Sequence, residues 1–382
     1  MNITIVTGFF LPVPPVAGGA TEKIWHRLAQ EFAVAGHTVT FISRAWPGFA
    51  DRETVAGVQY LRLRGADHTA SLASNLWRDF WWGVRVARAL PAADITICNL
   101  VALPVWLRHF RPSAGRVVAV VGRMPKGQGR FYGGVDLVFS LSAAVTAKLC
   151  AENPRLAPRI VPFPFPIDWN RHAKIVLPPR MDAALTIGYI GRIHPEKGLQ
   201  LLLDAAVILD ANSDLPPWRL GLIGPWTVPQ GGGGEAFRDT ILHAYRNQLG
   251  SRLTLTGPEF DPDRLARHYA SFDIFCYPSL AEKGETFGVA VAEAMAARSA
   301  VVVSALPCFN ELVHDGETGV VFDHTAADAP ARLAAALARM LKSPDFRRAV
   351  ALRGQAHVRQ FDYSASARAI LSRLAATSST AT

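Results

Sequence analysis

The chain has 382 residues, half of them apolar and 19% charged. That composition excludes a disordered protein and suits two α/β cores of roughly 150–200 residues each. The formal charge of +9 is uneven: residues 1–180 hold 21 Lys and Arg against 10 Asp and Glu, whereas residues 181–382 hold 19 against 21. The basic half is therefore expected to meet something anionic: nucleic acid, a phosphate-bearing substrate or an anionic membrane.

The opening stretch MNITIVTGFF is apolar, but it has neither a basic leader nor a small-residue cleavage site, and prolines follow from Pro12. It reads as a first strand, not a signal peptide. From Thr21 to Gly36, Ile24, Leu28 and Phe32 recur at helical spacing, and Gly36 suits a C-cap. HTVTFIS and VQYLRLR read as strands, SLASNLWRDFWWGVRVARAL as a helix, and DITICN, RVVAVVG and DLVFSLS as further strands. Such alternation predicts parallel strands with crossover helices, a doubly wound sheet.

Between Asn153 and Pro179 the chain carries seven prolines without helical periodicity, the composition of an interdomain connection. The alternation then restarts. The strands are LTIGYIG, WRLGLIG, RLTLTG, DIFCYPS and AVVVS. The helices run from about Gly198 to Leu209 and from Glu235 to Leu249, then through RLARHYA and FGVAVAEAMAA. The expected organisation is α/β: a Rossmann-like domain over residues 1–165, a second over 166–360, and a central cleft between them. A C-terminal helix within 361–382 should fold back on the first domain and end in a frayed tail. No stretch reaches about 18 uninterrupted apolar residues, so the chain is expected to be soluble or to rest on a surface. Four widely spaced cysteines, Cys98, Cys150, Cys276 and Cys308, suggest reduced thiols and a cytoplasmic setting.

The segment GETFGVAVAEAMAA separates Glu285 from Glu293 by seven intervening residues, with Phe287 and Gly288 at the opening of a helix. Backbone N–H groups there lack intrahelical partners and form an anion site. Glu293, about two turns on, is expected on roughly the same face as Glu285. Read alone, the segment fits equally an amphipathic helix with two solvated glutamates. In IGRIHPEKG, however, Arg192 and Lys197 stand at a strand-to-helix junction, where a guanidinium fork and an ammonium can neutralise a diphosphate. Gly18 and Gly19 follow the first strand and precede a helix, so the backbone there can approach a ligand closely. Asp261-Pro262-Asp263 looks like a metal motif, but a helix cap with proline at the first helical position explains it better, and no metal is expected.

Together, Gly18-Gly19, Gly191-Arg192 with Lys197-Gly198, and Glu285-Thr-Phe-Gly ending at Glu293-Ala-Met-Ala resemble the family-four retaining glycosyltransferases of the GT-B fold, over most of the chain. The resemblance implies that Arg192 and Lys197 hold a donor diphosphate, that Glu285 and the Phe287/Gly288 backbone hold sugar and phosphate, and that Glu293 holds the ribose. It implies a nucleotide sugar, UDP-linked or GDP-mannose, as co-substrate, with no other cofactor. It also implies hexose transfer to a glycan or lipid-linked acceptor of a bacterial-type cell envelope. Many such enzymes carry a histidine after the fifth strand of the first domain; here Gly122 and Arg123 stand there. That departure leaves open a nucleotide-sugar-binding relative without transfer activity, or an epimerase.

In the basic half, NLWRDFWWGVRVARAL and VWLRHFRP interleave Trp77, Phe80, Trp81, Trp82 and Trp106 with arginines. Two readings stand: a core helix with solvated arginines, or attachment to an anionic membrane, peripheral on the inner face of the cytoplasmic membrane. Net charge alone permits a nucleic-acid-binding protein, but no nucleic-acid module is present and no such partner is expected. Gly231–Gly234 read either as a flap over the donor or as a surface insertion.

Overall fold

A computed structural model describes residues 1–376 apart from 18, 68, 70, 179–181 and 283. Gly18 and the expected tail at 377–382 thus lie outside the described residues. The chain divides into two compact units, Met1–Pro166 joined by the helix Tyr363–Ala376, and Ile167–Asp362.

The first unit runs β1 (Asn2–Val6), α1 (Ala20–Val34), β2 (Thr38–Arg44), β3 (Arg52–Val55), β4 (Val58–Leu63), α2 (Leu72–Ala89) and β5 (Ile95–Cys98). It continues with α3 (Leu103–Phe110), β6 (Arg116–Val121), β7 (Leu137–Ser140), α4 (Ala143–Glu152) and β8 (Ile160–Pro162). Its eight strands lie in the order β3-β4-β2-β1-β5-β6-β7-β8. All pairs are parallel except β3 with β4, an antiparallel edge hairpin that the sequence pattern did not reveal. Strands β5 and β7 are buried at every residue, as expected where helices cover both faces of a sheet. Helix α1 turns Ile24, Trp25, Leu28, Ala29 and Phe32 to the core, and Gly36 beyond its end takes a left-handed conformation.

The second unit runs α5 (Trp169–Ala173), β9 (Leu185–Ile190), α6 (Leu199–Asp210), β10 (Trp218–Ile223), α7 (Glu235–Leu249), β11 (Leu253–Thr256) and α8 (Pro262–Ser271). It continues with β12 (Ile274–Tyr277), α9 (Val289–Ala296), β13 (Ala300–Ser304), β14 (Val320–Phe322), α10 (Ala329–Lys342) and α11 (Pro344–Val358). Six parallel strands lie in the order β11-β10-β9-β12-β13-β14. The last helix, α12 (Tyr363–Ala376), belongs to the first unit; it packs on α1, and its Leu374 carbonyl accepts a hydrogen bond from Arg116.

The strand orders fix where ligands can bind. From β9 the chain moves outward to β10 and β11, then returns to place β12 on the other side of β9. The reversal between β9 and β12 is a topological switch point, where loops leaving the carboxyl ends of neighbouring strands diverge and open a crevice. The corresponding reversal in the first unit lies between β1 and β5.

Candidate active site

Two loops meet over the switch point of the second unit. After β9 the chain passes Gly191 and Arg192, makes a short turn at Pro195–Lys197, and enters α6 through Gly198. Gly198 has φ +68, and a Cβ there would stand 1.9 Å from the Pro278 carbonyl oxygen, in the loop leaving β12. Only glycine permits so close a pairing. Leu280 N–H donates to the Glu196 carbonyl at 2.8 Å and ties the loops again.

This pairing brings Lys197 and Glu285 into direct contact. The Lys197 ammonium donates to Glu285 Oε1, and the two residues are only 5% and 8% exposed. The same oxygen accepts from Tyr277 OH at 3.0 Å and from Ser279 Oγ at 3.2 Å. Lys197 also sits 5.7 Å from the centre of the Tyr277 ring, which stacks on Tyr189 at 5.7 Å and 11°. Burial, and then the Glu285 charge, push the hydroxyls of Tyr189 and Tyr277 well above the ordinary tyrosine range. Both therefore stay neutral donors at any physiological pH. The result is an ion pair with a fixed polar collar at the mouth of a parallel sheet.

Beyond Glu285 the chain reaches Gly288, the N-cap of α9, with φ +93. A Cβ there would meet the Phe309 ring at 2.7 Å. No side chain caps this helix; Val291 N–H turns back to the Gly288 carbonyl at 3.0 Å, and the N–H groups of Val289 and Ala290 have no partner among the described residues. The Phe287 side chain is buried, edge-on to Phe361 at 5.4 Å. It anchors the turn and leaves only its backbone for a ligand.

Arg192 is held differently. Its guanidinium pairs with Glu196 and donates to the Gly231 carbonyl at 2.7 Å, while Tyr189 OH donates to the Arg192 carbonyl at 2.8 Å. The glycine-rich loop after β10 is thus latched to Arg192. An incoming anion must compete with one carboxylate and one carbonyl for this fork.

Two expectations from sequence need correction. Glu285 is not on a helical face shared with Glu293: it stands in the turn before α9, because the helix opens only at Val289. Nor is Glu293 one of two solvated glutamates. Its carboxylate sits 3.8 Å from His172 Nε2 and accepts a hydrogen bond from Tyr269, between α5 and α8. Asp261 caps α8, accepting from Asp263 N–H at 3.0 Å and Arg264 N–H at 2.8 Å; those bonds hold its carboxyl below the usual range.

In the first unit, Gly19 is the N-cap of α1 with φ +97. The sequence missed Glu22, which is buried at the first turn of α1, its carboxyl raised by burial and lowered in part by the charge of Arg123. Arg123, in the place of the family's histidine, thus lies close enough to lower the carboxyl of an acid from α1. The sequence also missed Tyr189, Tyr277, Ser279 and Glu196, ordinary residues that only the loop pairing makes part of a site.

Residues 179–357 match the family of glycosyl transferases group 1. The second unit is a group 1 glycosyl transferase domain. Within this stretch lie Arg192, Lys197, Glu285, Phe287, Gly288 and Glu293, the motifs that resemble the family-four enzymes. Among curated relatives, a phosphatidyl-myo-inositol mannosyltransferase of Mycobacterium tuberculosis is 31% identical over 191 residues, 49% of this chain and 46% of that protein. The chain spans about half the length of the curated relatives it matches. Among solved structures, sucrose-phosphate synthase from Thermosynechococcus elongatus superposes with a TM-score of 0.76 at 20% identity, covering 100% of both chains. Anabaena HepE in complex with UDP and glucose gives 0.70 at 16% identity, covering 98% of this chain and 100% of that one. The group 1 domain therefore sits in a chain with the two-unit GT-B fold along its whole length.

Proposed function

We propose that the chain is a retaining, metal-independent hexosyltransferase that moves a sugar from UDP-sugar or GDP-mannose to a glycan or lipid-linked acceptor in cell-envelope glycoconjugate synthesis. The observation that carries this reading is the buried Lys197–Glu285 pair beside the uncapped opening of α9. Together they supply one ammonium, one carboxylate and a set of backbone donors at one switch point, a set matched to an anionic leaving group attached to a polyol. The relatives' names support it: one acts on phosphatidyl-myo-inositol, and HepE was solved with UDP and glucose.

On this reading Lys197 and Arg192 neutralise the diphosphate, and the Gly288 opening of α9 adds N–H donors. Glu285 accepts from sugar hydroxyls with the oxygen that Lys197, Tyr277 and Ser279 leave unoccupied. Glu293, oriented by His172 and Tyr269, accepts from the ribose. The C1–O bond to the diphosphate breaks, and the departing phosphate oxygen takes the proton of the acceptor hydroxyl as that hydroxyl bonds to C1 on the same face. The charge that develops on the diphosphate is met by Arg192 and Lys197, so the protein supplies position and charge, not a nucleophile. Arg123, which stands where the family carries a histidine and whose charge acts on buried Glu22, is the feature behind a second reading: donor binding without transfer.

The test is product analysis by NMR with each nucleotide sugar and a lipid-linked or oligosaccharide acceptor, with and without chelator. Retained anomeric configuration and chelator resistance are expected. Inversion, or activity that a chelator abolishes, would overturn the mechanism, and donor binding with no product under any acceptor would favour the second reading.

A further inference from the structure

We infer that the outer face of α2 and α3 docks on the interface of an anionic lipid bilayer. Helix α2 satisfies the core with Trp82 and Val86, both fully buried; Trp82 Nε1 donates to the Thr7 carbonyl at 3.0 Å. Its opposite side is apolar as well. Leu76 and Trp77 are 53% and 63% exposed, and Phe80 and Trp81 are 41% each. Position 83 is glycine, where a Cβ would come within 3.0 Å of the Trp106 ring, so α3 closes against α2. Half-buried Trp106 then links that side to Phe110, which is 77% exposed.

The rings form one continuous chain. Trp81 meets Trp77 at 5.6 Å, Trp77 meets Phe80 at 6.4 Å, Phe80 meets Trp106 at 6.2 Å, and Trp106 meets Phe110 at 5.7 Å. Scattered exposed apolar residues are ordinary on a protein surface, but four exposed aromatics joined through half-buried Trp106 leave a contiguous patch that water solvates poorly.

The charge around the patch selects its occupant. Helices α2 and α3 carry Arg78, Arg85, Arg88 and Arg108 against one carboxylate of their own, Asp79; Arg108 pairs with Asp136 at 3.4 Å, whereas Arg78 and Arg85 reach only backbone carbonyls and keep their charge. Asp79 is turned inward, toward Ala102 N–H at 3.4 Å, and burial raises its pKa to about 6. A protein partner or a second copy of this chain would have to bring its own acids to meet Arg78, Arg85 and Arg88. An anionic bilayer supplies them continuously, and indole rings rest at headgroup depth. Among the described residues no helix is long and apolar enough to cross a membrane, so the contact is interfacial. Such docking needs nothing from the donor site, and the two readings can fail separately.

The test uses the full chain in flotation assays with phosphatidylcholine vesicles, with and without phosphatidylglycerol, alongside tryptophan emission. Binding to the anionic vesicles, a blue shift and loss of binding at high salt are expected. Trp77→Ser/Trp81→Ser should weaken binding at least tenfold with an unchanged melting temperature, since both side chains face solvent. Arg85→Gln should weaken it about fivefold. No binding to anionic vesicles, or equal binding by the double tryptophan variant, would overturn the inference. So would concentration-dependent self-association that the same variant abolishes while vesicle binding is absent.

Discussion

Removing Glu285 should damage the second unit more than removing Lys197, and removing both should damage it less than removing Glu285 alone. With Glu285→Leu, the 5%-exposed ammonium of Lys197 loses its carboxylate and keeps the Tyr277 ring, while Tyr277 OH and Ser279 Oγ lose their acceptor. Breaking a buried pair from one side costs about 3–5 kcal/mol, because a charge is left buried without compensation. For a unit of this size that lowers the melting temperature by about 10 °C. With Lys197→Met, Glu285 keeps the Tyr277 and Ser279 hydroxyl donors, so the loss should be roughly 1–3 kcal/mol. The double variant replaces the pair by apolar side chains and should recover part of the Glu285→Leu loss. Equilibrium urea unfolding followed by circular dichroism measures all three. If the single losses simply add in the double variant, or if Lys197→Met proves the costlier change, the pair is not the coupled unit described here.

Three further outcomes follow from particular contacts. Asp79 has a folded pKa of about 6, against an ordinary value of 3.8, so the folded state binds its proton more tightly than the unfolded chain does. Stability contributed by this group is therefore lost as pH rises from about 4 to about 6, and Asp79→Asn should stabilise the first unit at pH 7 by up to about 3 kcal/mol. The gain should vanish near pH 4; urea midpoints at the two pH values decide it. Gly288→Ala should cost about 1–3 kcal/mol, from its φ of +93 and the Phe309 ring 2.7 Å from the new Cβ, with weaker donor binding in calorimetry. Arg192→Lys cannot reproduce a fork held by Glu196 and the Gly231 carbonyl; it should lower the transfer rate on the order of 10²–10³-fold in steady-state assays.

Most of the fold was legible because parallel strands buried on both faces read as short apolar runs between amphipathic helices. The edge hairpin β3–β4 was not, since Arg52–Val55 is a largely exposed strand without an apolar signature. Arg192, Lys197, Glu285 and Gly288 were legible as residue types at loop positions. What the sequence could not convey was which loops touch: the approach of Gly198 to Pro278 creates the Lys197–Glu285 contact and recruits Tyr277 and Ser279. Glu293 shows the opposite error. Spacing placed it beside Glu285, but the helix begins too late for that, and α5 and α8 hold it instead. The aromatic helix divides its residues in a way its composition could not convey: Trp82 faces the core, while Trp77, Phe80 and Trp81 face outward.

The central claim is that the second unit holds a nucleotide sugar through Lys197, Glu285 and the opening of α9. A metal-free thermal-shift screen of the full chain against UDP-, GDP-, ADP- and CMP-sugars, repeated on a donor-site variant with Glu285→Gln, tests it most directly. Stabilisation by one nucleotide-sugar class that the variant no longer shows is the predicted result. No stabilisation by any of them, or equal stabilisation of both proteins, would contradict the account.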